Sequence, residues 1–230
     1  MKNILIIATN ISRYSNSDLK TGLWLSELTH LYDLAKTKHW NITIASPQGG
    51  KIPIDPESLK PLVLDKISKM YYEDEDFMKE LNQSKSLQEI QGLNFDCVYL
   101  SGGHGTMYDF PENKELQSII SKQYESQRIV AAICHGVGGL LNVKLSNGEY
   151  LIKGKDITGF DWFEESLARR KDKVPFNLEE ALKARETNFK KAFIPMTSNV
   201  IVDDHLITGQ NPFSSKNMAK IVVEEIRRCR

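Results

Sequence analysis

Three groups of residues in this chain have side-chain types and spacings suited to chemistry. The first is Cys134, which lies between the apolar run 128–133 and a helix that starts with Gly136. A strand-to-helix turn of this kind presents the nucleophile in hydrolase-like folds, at the carboxyl edge of the sheet. The helix N-terminus would favour thiolate over thiol. From these residues alone, a buried structural cysteine is an equal alternative.

The second is Glu27, which shares a helical stripe with Leu23, Leu31 and Leu34. A carboxyl on an apolar face is expected to face the core, where burial raises its pKa. A buried, uncompensated carboxylate is costly, so such a group is usually paired or functional. The alternative is a helix phase shifted by one residue, which would leave Glu27 solvated.

The third is the loop Gly102-Gly103-His104-Gly105, which follows the apolar run 95–100. Its glycines let backbone N–H groups approach a ligand closely and bind a developing oxyanion. The G-x-G-x-x-G spacing of a dinucleotide site is absent from it.

The sequence also lacks H-E-x-x-H and C-x-x-C, so it predicts no metal site. Cys97 is expected in the core, Cys229 in the tail without a role, and His205 in a structural position.

The elements that position these groups alternate along the chain. Apolar runs at 4–8, 41–45, 95–100 and 128–133 predict strands, and helices are predicted at 21–38, 113–126 and 214–228. Short strands at 151–152 and 157–159, a solvated helix at 178–191 and a hairpin at 200–208 complete the set. This order predicts an α/β fold with a doubly wound, mostly parallel sheet and helices on both faces. Residues 1–230 are expected to form one domain, with an irregular insertion at about 51–92 that contains one or two helices, such as one at 72–81.

The composition excludes several classes of protein. Apolar residues make up 40% of the 230 residues, and 30 basic residues balance 30 acidic ones. This neutrality predicts no binding to nucleic acid or to an anionic membrane, and no apolar run is long enough for a membrane span. Three cysteines and no recognisable export signal predict a cytoplasmic protein with free thiols.

Several longer strings carry a family resemblance. They are Glu27-Leu28-Thr29-His30, Ala45 to Gly50, Pro53 to Ser58, Ser101 to Pro111, Ala131 to Gly136, Lys153 to Phe160 and Leu206 to Pro212. With these strings in this order, the chain resembles the ThiJ/PfpI superfamily, whose members have a flavodoxin-like, class I glutamine-amidotransferase-like fold. Its strings are most similar to the branch of glyoxalase III enzymes and heat-shock chaperones.

The resemblance implies roles for individual residues. Cys134 would be the nucleophile and His135 its neighbour in a triad-like arrangement. Glu27 would hydrogen-bond the thiol and move protons. Glu165 would orient the histidine, with Glu164 as the neighbouring candidate. The loop containing Gly102, Gly103 and His104, together with the backbone of His135, would bind the oxyanion or substrate.

The resemblance also implies an activity. It is that of a cofactor-independent, glutathione-independent glyoxalase, a glyoxalase III-type lyase (D-lactate dehydratase) that converts methylglyoxal or a related 2-oxoaldehyde to a 2-hydroxy acid. A homodimer is expected. The alternatives are a stress-related holdase chaperone or protein deglycase with unfolded or glycated clients, a cysteine peptidase, and a redox sensor at Cys134.

Overall fold

A computed structural model describes residues 1–228 of the chain. The strands within this range are β1 (Asn3–Ile7), β2 (Asn41–Ser46), β3 (Gln48–Gly50), β4 (Ser84–Ser86), β5 (Cys97–Leu100), β6 (Ile129–Ile133), β7 (Asp156–Ile157), β8 (Asn188–Phe189), β9 (Val200–Asp203) and β10 (Leu206–Gly209). The α-helices are α1 (Leu25–Thr37), α2 (Lys66–Tyr72), α3 (Glu75–Asn82), α4 (Thr106–Asp109), α5 (Lys114–Glu125), α6 (Trp162–Leu167), α7 (Leu178–Lys183) and α8 (Ser215–Arg228). Short 3₁₀ helices span Pro56–Leu59, Cys134–Leu140 and Pro212–Ser214.

The main sheet has eight strands in the order β3-β4-β2-β1-β5-β6-β10-β9. The pairs from β4 through β10 are parallel, and the two edge strands β3 and β9 pair antiparallel. Strands β7 and β8 form a separate parallel pair. The predicted α/β fold with a mostly parallel, doubly wound sheet is therefore confirmed.

Strand β1 shows why the central strands are continuous apolar runs. Ile4 and Ile6 face one hydrophobic core, whereas Leu5 and Ile7 face the other, and all four are fully buried. Helices α1 and α8 pack together over the first face, and α5 packs on the second. A strand covered on both faces has no polar side, so its residues show no alternation.

The topology brings two of the chemically interesting loops together. Strands β5 and β6 are neighbours and run parallel, with Leu100 opposite Ala132. The glycine-rich loop follows β5 and Cys134 follows β6. Both loops therefore lie at the carboxyl edge of the sheet, where open α/β proteins bind their ligands.

Some predicted elements differ from the structure. Helix α1 begins at Leu25 rather than near residue 21, because the N–H of Leu23 donates to Pro53 O at 2.8 Å and holds this segment extended. The helix predicted at 178–191 is shorter in the structure. Helix α7 ends at Lys183, because residues 188–189 form strand β8, which pairs with β7. Residues 151–152 lie in a turn rather than a strand. Cys229 lies outside the described residues.

The segment 51–92, expected to be irregular with one or two helices, contains two α-helices, and α3 covers most of the helix expected at 72–81. It includes the 3₁₀ helix Pro56–Leu59, helices α2 and α3, and strand β4, which pairs with β2. Its helix α2 packs against α1. None of the helices within residues 1–228 combines the length and apolar composition needed to cross a bilayer.

Candidate active site

Cys134 lies at a sharp turn between β6 and the following 3₁₀ helix. The φ angle of Cys134 is 57°, in the left-handed region that non-glycine residues seldom adopt, and Cys134 is only 2% exposed. Gly136 makes the turn possible, because a Cβ there would lie 2.7 Å from the Ser101 carbonyl oxygen. Such strain persists only where the surrounding structure enforces it, and it is common at functional sites.

The side chains of Cys134, His135 and Glu165 form a hydrogen-bonded chain. Cys134 Sγ lies 3.3 Å from His135 Nδ1, and His135 Nε2 lies 2.7 Å from Glu165 Oε2. A carboxylate accepts a hydrogen bond from Nε2–H, which leaves Nδ1 free to accept the thiol proton. The geometry is that of a Cys–His–Glu triad in which the imidazole can act as a general base.

Glu165 also accepts a hydrogen bond from a second histidine. His104 Nε2 lies 2.8 Å from Glu165 Oε1, and the His104 and His135 rings stack at 4.0 Å between centroids. Burial raises the pKa of Glu165, but its two imidazole partners outweigh this effect and hold it well below its usual range. Burial, and then the neighbouring His135, lower the pKa of His104. The carboxylate is therefore ionised and clamped between two rings.

Glu164 has different partners, although it is adjacent in the sequence. Its Oε1 accepts hydrogen bonds from the N–H of Met196 at 2.6 Å, from Asn211 at 2.8 Å and from Gln210 at 3.0 Å. These contacts tie α6 to the segments around β10. Of the two candidates for the third triad member, the structure brings only Glu165 to His135.

Glu27 is fully buried on the core face of α1, as its helical stripe indicates. Burial raises its pKa to about 8, while the Cys134 thiol and the Gly102 N–H oppose the rise. Neither carboxyl oxygen forms a hydrogen bond of good geometry within the described residues. A buried acid with a pKa near neutrality, beside a cysteine, is suited to accept and return a proton.

Cys134 is a thiol in the structure, whereas the sequence predicted that the helix N-terminus would favour a thiolate. Burial and then the nearby Glu27 carboxyl raise the pKa of the thiol, and the N–H of His135 only partly offsets them. The favourable field of a helix N-terminus is thus outweighed by desolvation and a like charge. The resting group is a thiol, so an attacking thiolate must form by proton transfer to a neighbouring base.

The glycine-rich loop lies directly against the cysteine. A Cβ on Gly102 would be 2.9 Å from Cys134 Cβ and would overlap Glu27 Oε2. Gly103 has a φ of 107°, and a Cβ on it would collide with the Gly22 carbonyl oxygen. Glycine at position 102 therefore lets the loop backbone approach Cys134, and glycine at position 103 lets it pass close to the backbone of Gly22.

A cavity of about 340 Å³ opens above these residues. Cys134, His104 and His135 line one end of it, and Phe160 lies beside them, with its ring 4.5 Å from that of His135. The cavity gives a small molecule access to the sulfur and to the imidazole that faces it.

His104, His135 and Glu165 could also hold a metal ion. Their ligand atoms all lie within 4.8 Å of one another. Because the three come from separate elements, the sequence motifs that predicted no metal site could not reveal this group. Nε2 of each imidazole faces Glu165, so a metal bound through those atoms would replace the two hydrogen bonds that orient the triad.

The sequence did not reveal two further features of the site. One is the contact of His104 with Glu165, since only the pairing of β5 and β6 places that loop against His135. The other is His30, which lines the cavity and lies 3.1 Å from Asp65. Two signals for His30 were available: its position one turn after Glu27 and its place in the string Glu27-Leu28-Thr29-His30.

Comparison with known proteins gives relatives for the whole chain. Glutathione-independent glyoxalase HSP31 of Saccharomyces cerevisiae is 30% identical, over 98% of this chain and 98% of its own length. The crystal structure of glyoxalase III from Candida albicans has a TM-score of 0.87 and 28% identity, covering 97% of this chain and 96% of that one.

A second solved structure is the Rapid Encystment Protein 24 KDa (REP24) of Francisella tularensis. It has a TM-score of 0.93 and 39% identity, covering 98% of this chain and 99% of that one. The model of the DJ-1/PfpI family matches residues 19–225. The fold, the strained cysteine and these similarities agree, and the chain belongs to the DJ-1/PfpI family.

Proposed function

We propose that this protein is a glutathione-independent glyoxalase, which converts methylglyoxal or a related 2-oxoaldehyde to a 2-hydroxy acid such as D-lactate. The arrangement of Cys134 between His135 Nδ1 and the buried Glu27 carboxyl carries the proposal. It supplies a nucleophile, a base for its proton and a second acid of raised pKa. The glyoxalase names of full-length relatives support the same activity.

The first step is addition of the cysteine to the aldehyde. The Cys134 thiol transfers its proton to His135 Nδ1 as the sulfur attacks the aldehyde carbon, and the product is a hemithioacetal. Backbone N–H groups at Gly103 and His135 stabilise the oxygen that becomes negative, which then takes up the proton. Glu165 holds the imidazole in the tautomer that accepts this proton.

The second step moves hydrogen between two carbons. Glu27, as a carboxylate, removes the proton from the former aldehyde carbon and leaves an enediolate attached to the sulfur. The proton of the hemithioacetal hydroxyl passes to the former ketone oxygen, so that the negative charge lies on the oxygen next to the sulfur-bearing carbon. The same carboxyl then returns a proton to the former ketone carbon, which gives a thioester of a 2-hydroxy acid. The raised pKa of Glu27 suits both halves of this transfer, because it can accept and donate near neutral pH.

Hydrolysis completes the reaction. Water adds to the thioester carbonyl, the C–S bond breaks, and the proton returns to the sulfur. The overall change is one 2-oxoaldehyde plus one water to one 2-hydroxy acid, with no net oxidation. It needs no cofactor, since the sulfur, carboxyl and imidazole supply each group that reacts.

The proposal is tested with the purified wild-type protein and methylglyoxal. Glutathione is omitted, EDTA is present, and D-lactate is measured against aldehyde consumed. We expect one lactate per methylglyoxal, with a rate unchanged by EDTA. Aldehyde loss without lactate, or no loss beyond the protein-free rate, would contradict the proposed activity.

Exposed apolar side chains favour a second function, the binding of unfolded protein clients. Phe163 and Leu167 lie one turn apart on α6 and are more than half exposed, as are Phe193 and Ile194. Patches of this kind serve interactions with other proteins. Aggregation assays with a heat-denatured client should show suppression that survives Cys134→Ala but weakens in Phe193→Ala.

The setting proposed for the chain follows from its composition and its relatives. We expect a cytoplasmic homodimer that binds neither nucleic acid nor membranes. Light scattering coupled to size-exclusion chromatography measures the assembly directly. A mass equal to one chain at micromolar concentration would contradict the homodimer.

A further inference from the structure

The cavity above Cys134 is larger than methylglyoxal requires. Methylglyoxal has five non-hydrogen atoms, which fill about 150 Å³ if each takes roughly the 30 Å³ of a water molecule in the liquid. The cavity encloses about 340 Å³. With the two carbonyl carbons beside Cys134, more than half of this space would remain for a substituent that methylglyoxal lacks.

The unfilled part of the cavity is predominantly apolar. Besides Cys134 and the two histidines beside it, the cavity lining includes the apolar side chains of Trp24, Leu62, Val63, Met196 and Phe213. These five come from three separate parts of the chain: the start of α1, the segment before α2, and the region around β10. Elements distant in sequence thus converge on one apolar wall that adjoins the reactive groups.

Apart from Cys134, His104 and His135, the polar residues on the lining are Ser26, His30, Asp65 and Lys216. His30 Nε2 lies 3.1 Å from Asp65 Oδ2, whereas His30 Nδ1 is buried without a hydrogen-bond partner among the described residues. Asp65 also accepts hydrogen bonds from the N–H groups of Ile67 and Ser68. Lys216, also on the lining, is the remaining charged residue there. Because the wall itself is formed by apolar side chains, a neutral, apolar substituent matches it better than an ionic one.

The rim of the cavity leaves apolar surface in water. Leu62 is 98% exposed and Phe213 is 52% exposed, although both line the cavity. A substituent that extends from Cys134 to the rim would cover part of both side chains. Burial of this surface would favour larger substrates.

We infer that this wall is a subsite for the substituent of the substrate, and that the preferred substrates are 2-oxoaldehydes with an aryl or extended alkyl group rather than methylglyoxal. The inference rests on the proposed glyoxalase function. Because one methylene in an apolar pocket changes specificity by at least about 10-fold, a phenyl group should raise kcat/KM by about 10-fold or more over methyl.

The test compares initial rates with methylglyoxal and phenylglyoxal, measured as lactate and mandelate, without glutathione. Wild type is run beside Leu62→Ala and Phe213→Ala. Phe193→Ala is the matched control, because Phe193 is exposed and does not line the cavity. We expect Phe213→Ala to lower kcat/KM for phenylglyoxal by about 10-fold and for methylglyoxal by less than about 2-fold, with a smaller effect of Leu62→Ala.

The outcomes separate the two proposals. Turnover of methylglyoxal as fast as phenylglyoxal, or equal losses with both aldehydes in Phe213→Ala, overturns the subsite and leaves the glyoxalase function standing. Loss of the phenylglyoxal preference in Phe193→Ala also overturns it. Turnover of neither aldehyde by wild type contradicts the glyoxalase function, and the subsite with it.

Discussion

At the scale of the single residue, Glu27 shows how a buried position sets chemistry. Its stripe on α1 predicted burial, and the structure confirms it. The consequence is a pKa raised to about 8 from the ordinary value of 4.5. The same reasoning from local residues was wrong for the Cys134 thiolate, because the sequence could not show how deeply the sulfur is buried or that Glu27 lies beside it.

This shift makes stability depend on pH with a definite sign. Between pH 4.5 and about 8 the folded protein keeps a proton on Glu27 that the unfolded chain releases, so unfolding releases a proton and rising pH favours it. We expect the free energy of unfolding of wild type, relative to Glu27→Gln, to fall by up to about 1.4 kcal/mol per pH unit across this window. Urea unfolding at pH 5, 6.5 and 8 measures it.

The control for this measurement is Glu115→Gln, which changes an exposed glutamate on α5. It should follow wild type across the same pH range. If the difference between wild type and Glu27→Gln is constant with pH, Glu27 does not hold a proton in the folded protein.

At the scale of the element, helix α6 places two adjacent glutamates in different roles. Glu165 contacts both histidines, whereas Glu164 bonds to Met196, Gln210 and Asn211. The family resemblance implied that Glu165 would orient the histidine, with Glu164 as the neighbouring candidate. Only the packing of α6 onto the sheet, a tertiary feature, decides which one faces His135.

Substitution of the two glutamates should therefore have different effects on activity and stability. We expect Glu165→Gln to lower kcat by roughly 10²–10⁴-fold, because it misorients His135. Glu164→Gln should keep most of the activity and lose about 1–3 kcal/mol of unfolding free energy, because its partners lose a charged acceptor. Lactate assays and thermal melts of both variants check this. Equal kcat losses would contradict the division of roles.

The loop after β5 makes a second test at this scale. In Gly103→Ala, a Cβ would collide with the Gly22 carbonyl oxygen in addition to occupying a φ of 107°. Gly148 has a similar φ of 84°, but a Cβ there would meet nothing within 4 Å. We expect Gly103→Ala to destabilise the protein by more than Gly148→Ala, whose cost should be about 1 kcal/mol. Equal urea midpoints would show that the loop does not pack as described.

At the scale of the whole molecule, alternation of apolar runs and helices predicted the sheet. The strands at 4–8, 41–45, 95–100 and 128–133 were confirmed, because buried parallel strands have a clear composition. The predictions were wrong for short elements, such as the strand at 151–152 and the C-terminal end of the helix at 178–191, because tertiary pairing decides their structure. The cavity could not be predicted from the sequence, because the residues that line it are far apart in the chain.

Net charge gives a prediction for the molecule as a whole. With 30 basic and 30 acidic residues, the chain has no excess positive charge to release counterions from a nucleic acid. We expect no change in the fluorescence anisotropy of a labelled 20-base-pair duplex with 10 µM protein in 150 mM salt. Binding that weakens as salt rises would show a basic surface that the net charge conceals.

The central claim is that Cys134 is the nucleophile, and the most direct measurement compares kcat/KM for methylglyoxal in Cys134→Ala and Cys97→Ala. Both cysteines are buried, but Cys97 lies in β5 within the core. We expect Cys134→Ala to lose at least about 10³-fold, because no other group can carry the covalent intermediate. Cys97→Ala should stay within about 3-fold of wild type, since a core truncation affects mainly stability. Lactate formation by Cys134→Ala at a rate near that of wild type would contradict the account.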